Sequence, residues 1–265
     1  DGSHIMFQAF NRTFKFATET TNDITFYTGG LAGSYERLRI TNTGQLLLGE
    51  TSAFGSDVAT QFRFDNAGGN ARFIPQDVTI ENDWRKVIDE GLELYGRIDG
   101  VVNNAGTFSW KSMNESKLDD FKEVIDVNLT GSFLGLKYGT EAIRKHGEGG
   151  SIVMISSILG KVGAPNTTAV CAAKGGVRLL AKAGACELGP EKIRVNSIHP
   201  GLTDTEVGKV FTSGLNNKQF IQSNIPMGRM ARTEEIAKTI LFLVSDDSFF
   251  MTGAELTIDG GFTAG

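Results

Sequence analysis

The nine residues Ile98-Asp99-Gly100-Val101-Val102-Asn103-Asn104-Ala105-Gly106 decide the fold. A short apolar run that breaks into Asn, Ala and Gly is what a strand buried on both faces looks like where it opens into a loop at its C-terminal edge. Ser151 to Ser156 and Ile193 to Ile198 repeat the pattern.

Around these runs the hydrophobic period changes. Trp84, Val87, Ile88, Gly91 and Tyr95 fall at helical spacing on one face. Longer helical stretches are predicted over Leu118 to His146 and Thr168 to Leu188, the second rich in Ala and Gly for close packing. Ala71 to Ile74 reads as a further short strand. Strands alternating with helices imply a parallel sheet covered on both faces, so the fold class is α/β with a doubly wound parallel sheet.

The chain changes character near Asn66-Ala67-Gly68-Gly69. Before that point, Arg12 to Phe16, Ile24 to Tyr27, Arg37 to Thr41 and Gln45 to Leu48 are β-prone runs separated by Thr, Asn and Gly, which reads as small hairpins. The expected division is an atypical β-rich segment over residues 1–67 and an α/β domain over residues 68–265.

Bulk properties narrow the function. A chain of 265 residues with 40% hydrophobic composition is long enough for one α/β core. A net charge of −5, with Lys and Arg scattered, supplies no footprint for nucleic acid. Cys171 and Cys186 both fall in one predicted helix, which gives neither a disulfide framework nor a zinc spacing. No apolar run reaches the roughly 18 to 20 residues that span a bilayer. A small-molecule substrate, no metal, and a reducing cytoplasmic setting are expected.

Several segments then match one family in order and spacing: Asp77-Val78-Thr79, Asn103-Asn104-Ala105-Gly106, Asn128 within Asp126 to Gly131, Ser157 closing Ile152 to Ser157, Lys174 in Val170 to Lys174, and Pro200-Gly201-Leu202-Thr203-Asp204-Thr205. From Gly68 onward the chain resembles the short-chain dehydrogenase/reductase family. The resemblance implies a Rossmann-like sheet, NAD or NADP as cofactor, and hydride transfer to or from a secondary alcohol or ketone of the alcohol, hydroxysteroid or oxoacyl class. It also implies a homodimer or homotetramer, from the final helix and strand within Leu241 to Gly261.

Residue by residue, the resemblance implies that Asp77 and Val78 hold the adenine, and that Asn103, Ala105 and Gly106 let the backbone approach the adenosine ribose. Pro200, Gly201, Thr203 and Thr205 would wrap the nicotinamide end. Asn128 would kink its helix and hold a water against Lys174, Lys174 would bind the nicotinamide ribose, and Ser157 would hydrogen-bond the substrate oxygen. Each has a plainer reading: Asp77 as a turn residue, Thr79 as a helix cap, the Asn-Asn-Ala-Gly stretch as a strand-ending turn, and Ser156 as the alternative to Ser157. His199, just before the Pro-Gly turn, reads as structural. Asp204 to about Met230 is polar and turn-rich, as in a mobile substrate lid.

One position breaks the pattern. The family motif is Tyr-x-x-x-Lys, and here the window is Val170-Cys171-Ala172-Ala173-Lys174. Valine moves no proton, and Cys171 lies about 100° further round the helix. Tyr27, Tyr35, Tyr95 and Tyr138 stand at no replacement position. The expectation is an oxidoreductase by descent with impaired turnover; the alternatives are a non-catalytic dehydrogenase-like module and a phage-fibre-like structural chimera.

The first 67 residues allow two readings. Thr28-Gly29-Gly30-Leu31-Ala32-Gly33-Ser34-Tyr35 approximates the family's glycine loop with its third glycine replaced by tyrosine. The helix that should follow would cross Arg39 to Gly44, which is β-branched and turn-forming. Tyr35 to Gln45 instead resembles the β-repeats of phage tail-fibre proteins. On that reading the segment supplies no parallel strands and leaves an open sheet edge.

Overall fold

Val101, Ile152 and Val195 point to one side of their strands, and Val102, Val153 and Ile198 to the other, yet all six are fully buried. Successive side chains in a strand face opposite ways, so both faces of this sheet must be covered. A computed structural model of the chain describes residues 5–7, 15–17, 24–30, 33–40, 46–48, 74–205, 208 and 217–265, with side chains over 74–205, 208 and 219–265.

The strands are β1 (Ile5–Phe7), β2 (Lys15–Ala17), β3 (Ile24–Gly30), β4 (Gly33–Ile40), β5 (Leu46–Leu48), β6 (Gly100–Asn103), β7 (Gly150–Ile155), β8 (Ile193–Pro200) and β9 (Glu255–Ile258). The helices are α1 (Glu81–Tyr95), α2 (Leu118–Ile125), α3 (Gly131–Arg144), α4 (Thr168–Leu188), α5 (Asn217–Asn224) and α6 (Thr233–Val244). One sheet has the order β1-β6-β7-β8-β9 and the other β2-β3-β4-β5. Every pair in the first is parallel and every pair in the second antiparallel.

Two cores sandwich the parallel sheet. On one face Trp84 and Ile88 of α1, Leu134, Tyr138 and Ile143 of α3, and Val177 and Ala181 of α4 cover Val101, Ile152 and Val195. On the other, Ile236, Ile240 and Leu243 of α6 cover Val102, Val153 and Ile198. At about 25 cal/mol per Å² of apolar surface removed from water, these faces are the main favourable contribution to folding. Helix α1 keeps its predicted apolar face, with Trp84, Val87, Ile88 and Gly91 buried, and stops at Gly96, whose φ of 79° suits a residue without a Cβ.

Several expectations are corrected. The helix over Leu118 to His146 is broken by a π-turn at Asp126–Thr130 and ends at Arg144. Thr79 is not the cap of α1, because Ile80 occupies the N-cap position. The polar region after Asp204 contains the eight-residue helix α5. The strand expected at Ala71 to Ile74 falls outside the described residues except for Ile74, which lies in no strand.

In the N-terminal region, β3 and β4 pair antiparallel from Ile24↔Ile40 to Gly30↔Gly33. That is a hairpin, and it puts Thr28 to Gly30 and Gly33 to Tyr35 in strands where the glycine loop and its helix would have been. The anticipated open edge of the parallel sheet is lined by β1, which pairs Ile5↔Gly100 through Phe7↔Val102.

Candidate functional site

The C-terminal ends of β6, β7 and β8 each break into a loop on the same edge of the sheet, the edge on which parallel α/β folds bind ligands. Asn104 and Gly106 follow β6, Ser157 follows β7, and Gly201 follows β8. Together with α4 they enclose a cavity of about 300 Å³.

Lys174 comes to this cavity from α4, which also brings Val170 one turn earlier. Its side chain is buried, and Nζ donates to Ile155 O at 2.9 Å. Burial, which disfavours the charged form, lowers its pKa to about 8. Among the described residues the cavity wall carries no carboxylate, imidazole, guanidinium, thiol or phenol.

Asn128 reaches the same place through the π-turn. Its Nδ2 donates to Val124 O at 3.0 Å and to Thr107 O at 2.9 Å, tying the widened turn to the loop after β6. Its Oδ1 is buried without a partner. A Cβ built on Gly106 would lie 2.8 Å from Asn128 Oδ1 and 3.4 Å from Lys174 Nζ, so both polar groups converge on a spot that only glycine leaves open. A buried acceptor beside an amine has room for a water or ligand donor to complete it.

The two serines after β7 separate by partner. Ser156 is buried and its hydroxyl donates to Lys174 O at 2.8 Å, which fixes α4 against the strand end. Ser157 Oγ accepts from Leu159 N at 3.1 Å and lines the cavity. Its hydroxyl proton is therefore directed by whatever the cavity holds. Val170 is 3% exposed and presents only methyl groups to the same space.

His199 is fully buried below this site. Its Nδ1 meets Ser157 O at 3.1 Å and its Nε2 meets Ser197 Oγ at 2.9 Å. Burial pushes its pKa down, which keeps a neutral ring bridging β8 to the loop that carries Ser157.

Of the other predicted residues, Pro200, Gly201, Thr203 and Thr205 form the opposite wall. Thr203 Oγ1 donates to Gly201 O, and Thr205 Oγ1 donates to Thr203 O while accepting from Gly208 N. Asp77, Val78, Asn103 and Ala105 do not line the cavity. Asp77 Oδ1 accepts from both Thr79 N and Thr79 Oγ1, and Val78 O accepts from the Trp84 indole. Asn103 is buried with Nδ2 on Met154 Sδ and an unpartnered Oδ1, and Ala105 is buried beside it in the chain.

Sequence reading missed the apolar wall of Phe108, Leu159, Val162 and Phe262. Phe262, in the final residues, packs with Phe108 on the cluster that holds Val170. No local periodicity announces a residue that returns to a site from beyond the last strand. Among the described residues no group of three His, Cys, Asp or Glu could hold a metal, and no helix is long and apolar enough to cross a membrane.

Comparison with known proteins bears on this arrangement. The family model described as Enoyl-(Acyl carrier protein) reductase matches residues 56–263. Trans-4-hydroxycyclohexanecarboxylate dehydrogenase of Sinomonas cyclohexanicum is 44% identical over 220 residues, 83% of this chain and 82% of the relative. Cyclopentanol dehydrogenase of Comamonas sp. (strain NCIMB 9872) is 40% identical over 197 residues, covering 74% and 78%. A crystal structure of a short-chain type dehydrogenase/reductase from Mycobacterium marinum superposes with a TM-score of 0.71 at 36% identity, covering 75% of this chain and 78% of that one.

Proposed function

The chain belongs to the short-chain dehydrogenase/reductase family, and from that premise we propose that it derives from an oxidoreductase moving a hydride between NAD or NADP and a secondary alcohol or ketone, with turnover impaired at Val170. The observation that carries this reading is the meeting of Lys174, Ser157, Asn128 and Val170 on one cavity. Three polar members of the family's constellation are together, and a buried valine stands where the proton donor belongs.

The fit to a dinucleotide differs between its two ends. The orphaned Asn128 Oδ1, the Lys174 amine and the Pro200 to Thr205 wall suit the nicotinamide end. At the adenine end, Asp77 Oδ1 is occupied by Thr79, and Thr28 to Gly30 belong to an antiparallel strand. A bound nicotinamide would supply or accept the hydride. Ser157 would donate to the substrate oxygen, Asn128 would hold a water, and Lys174 would donate to the ribose. Among the described residues, no side chain on the cavity wall replaces the phenol that exchanges the proton with that oxygen.

Among the alcohol, hydroxysteroid and oxoacyl classes, the wall of Phe108, Leu159, Val162 and Phe262 favours an apolar alicyclic alcohol or ketone. The names of the cyclohexane and cyclopentane relatives support the same choice. The proposal extends to a cytoplasmic homodimer or homotetramer without nucleic-acid or membrane partners. It treats residues 1–67 as a separate β-rich segment, and the antiparallel β3–β4 hairpin speaks against a degenerate glycine loop there.

Titrating the protein with NADH and with NADPH, following nicotinamide fluorescence and thermal midpoint, tests the reading. A response to at least one nucleotide is expected. Silence with both would overturn it.

A further inference from the structure

Tyr-x-x-x-Lys gives its lysine a phenol to act upon, and here Val170 stands at the tyrosine's position. Lys174 nevertheless keeps its amine at the cavity, where it donates to the carbonyl of Ile155 at 2.9 Å. Among the described residues no carboxylate, imidazole, guanidinium, thiol or phenol lines the cavity beside it. Ser157 offers a hydroxyl on the same wall, and Phe108, Leu159, Val162 and Phe262 make another part of it apolar.

We propose that Lys174 is a nucleophile that condenses with the carbonyl carbon of a small aldehyde, ketone or 1,3-diketone in this cavity, forming an imine. The neutral Nζ adds its lone pair to the carbonyl carbon, and the oxygen becomes a hydroxyl as one N–H proton moves to it. The C–O bond then breaks, the second N–H proton leaves with the oxygen as water, and the carbon–nitrogen double bond forms. No oxidant or reductant is consumed. Ser157 is placed on the wall to donate to the oxygen in both steps.

Desolvation supports this chemistry, because a buried amine with a pKa of about 8 is partly neutral at ordinary pH, whereas an exposed lysine is almost wholly protonated. The inference does not depend on cofactor binding, since the free protein presents the amine.

Pentane-2,4-dione is the probe, since it forms a stable enaminone with a neutral lysine and absorbs in the near ultraviolet. The intact protein is treated at several pH values, in buffer and in urea, and its lysines are mapped by peptide mass spectrometry. Lys174 is expected to react ~10-fold or more faster than the exposed lysines at neutral pH, with a rate midpoint near pH 8 and no preference in urea. Lys174→Arg is expected to remove the fast phase. Uniform labelling, or a fast phase that survives Lys174→Arg, would overturn the proposal. Should neither NADH nor NADPH bind while Lys174 labels first, the dinucleotide reading falls and this one stands. Should a nucleotide bind while Lys174 labels like a surface lysine, the reverse holds.

Discussion

The two sheets of this chain were built by different rules. The parallel sheet from β6 to β9 buries apolar residues on both faces and ends in loops on one edge, and those loops supply the cavity. The antiparallel sheet from β2 to β5 is a run of short strands, each paired with its sequence neighbour. In a dinucleotide-binding fold the diphosphate rests on a glycine turn between a parallel strand and a helix. Antiparallel pairing through Gly30↔Gly33 removes that turn. The comparison teaches that the loops on one edge of the parallel sheet can build a cavity without a glycine turn in the antiparallel one.

The comparison can be sharpened, beginning with the largest effect. In a Val170→Tyr background, Ser157→Ala is expected to reduce ketone turnover by about 10²–10³-fold, through loss of the donor to the developing oxyanion. Steady-state kinetics would register this as a fall in kcat. An unchanged kcat would remove Ser157 from the reaction end.

A smaller effect is expected where Asn128 and Lys174 meet. Gly106→Ala would bring a methyl 2.8 Å from Asn128 Oδ1, forcing the side chain or the loop to shift. A loss of about 1–3 kcal/mol in urea unfolding is expected, with slower labelling of Lys174.

A change confined to stability tests the sheet edge beyond the site. Glu255 on β9 is paired with Arg178 at 2.9 Å, Lys182 at 3.0 Å and Lys161 at 3.4 Å, and its side chain is 12% exposed. Burial pushes its pKa up, but the hydrogen bonds from Arg178 and Lys182 prevail and bring it to about 2. Since the folded value is depressed, the stabilisation is present above the usual carboxylate pKa of 4.5 and is lost as pH falls from there towards 2. Glu255→Gln should cost about 2 kcal/mol near neutral pH and flatten the acid limb of the stability curve. An acid limb identical to that of the parent protein would refute the assignment.

The parallel sheet was legible in the sequence because its strands are buried on both faces, which leaves continuous apolar runs such as Ile98 to Asn103 and Ser151 to Ser156. Helix α4 was legible from its Ala- and Gly-rich packing face. The π-turn around Asn128 left no mark on the apolar period, and only the resemblance pointed to a kink at that asparagine. Its cause lies in bonds to Val124 and Thr107, the latter distant in sequence. The choice of Ser157 over Ser156 came from the resemblance, and the structure adds that the Ser156 hydroxyl is engaged with Lys174 O. For Asp77 the turn reading describes its bonds to Thr79, and the strand β1 beside β6 had no signal in a three-residue run.

The central claim is that the reaction end lacks one group and is otherwise in place. Turnover of cyclohexanone with NADH and with NADPH, measured side by side for the parent chain and Val170→Tyr, tests it most directly. The account predicts a gain of about 10²–10⁴-fold for the variant, the usual worth of a positioned acid-base group. A parent chain that already reduces the ketone as fast as the variant would contradict it.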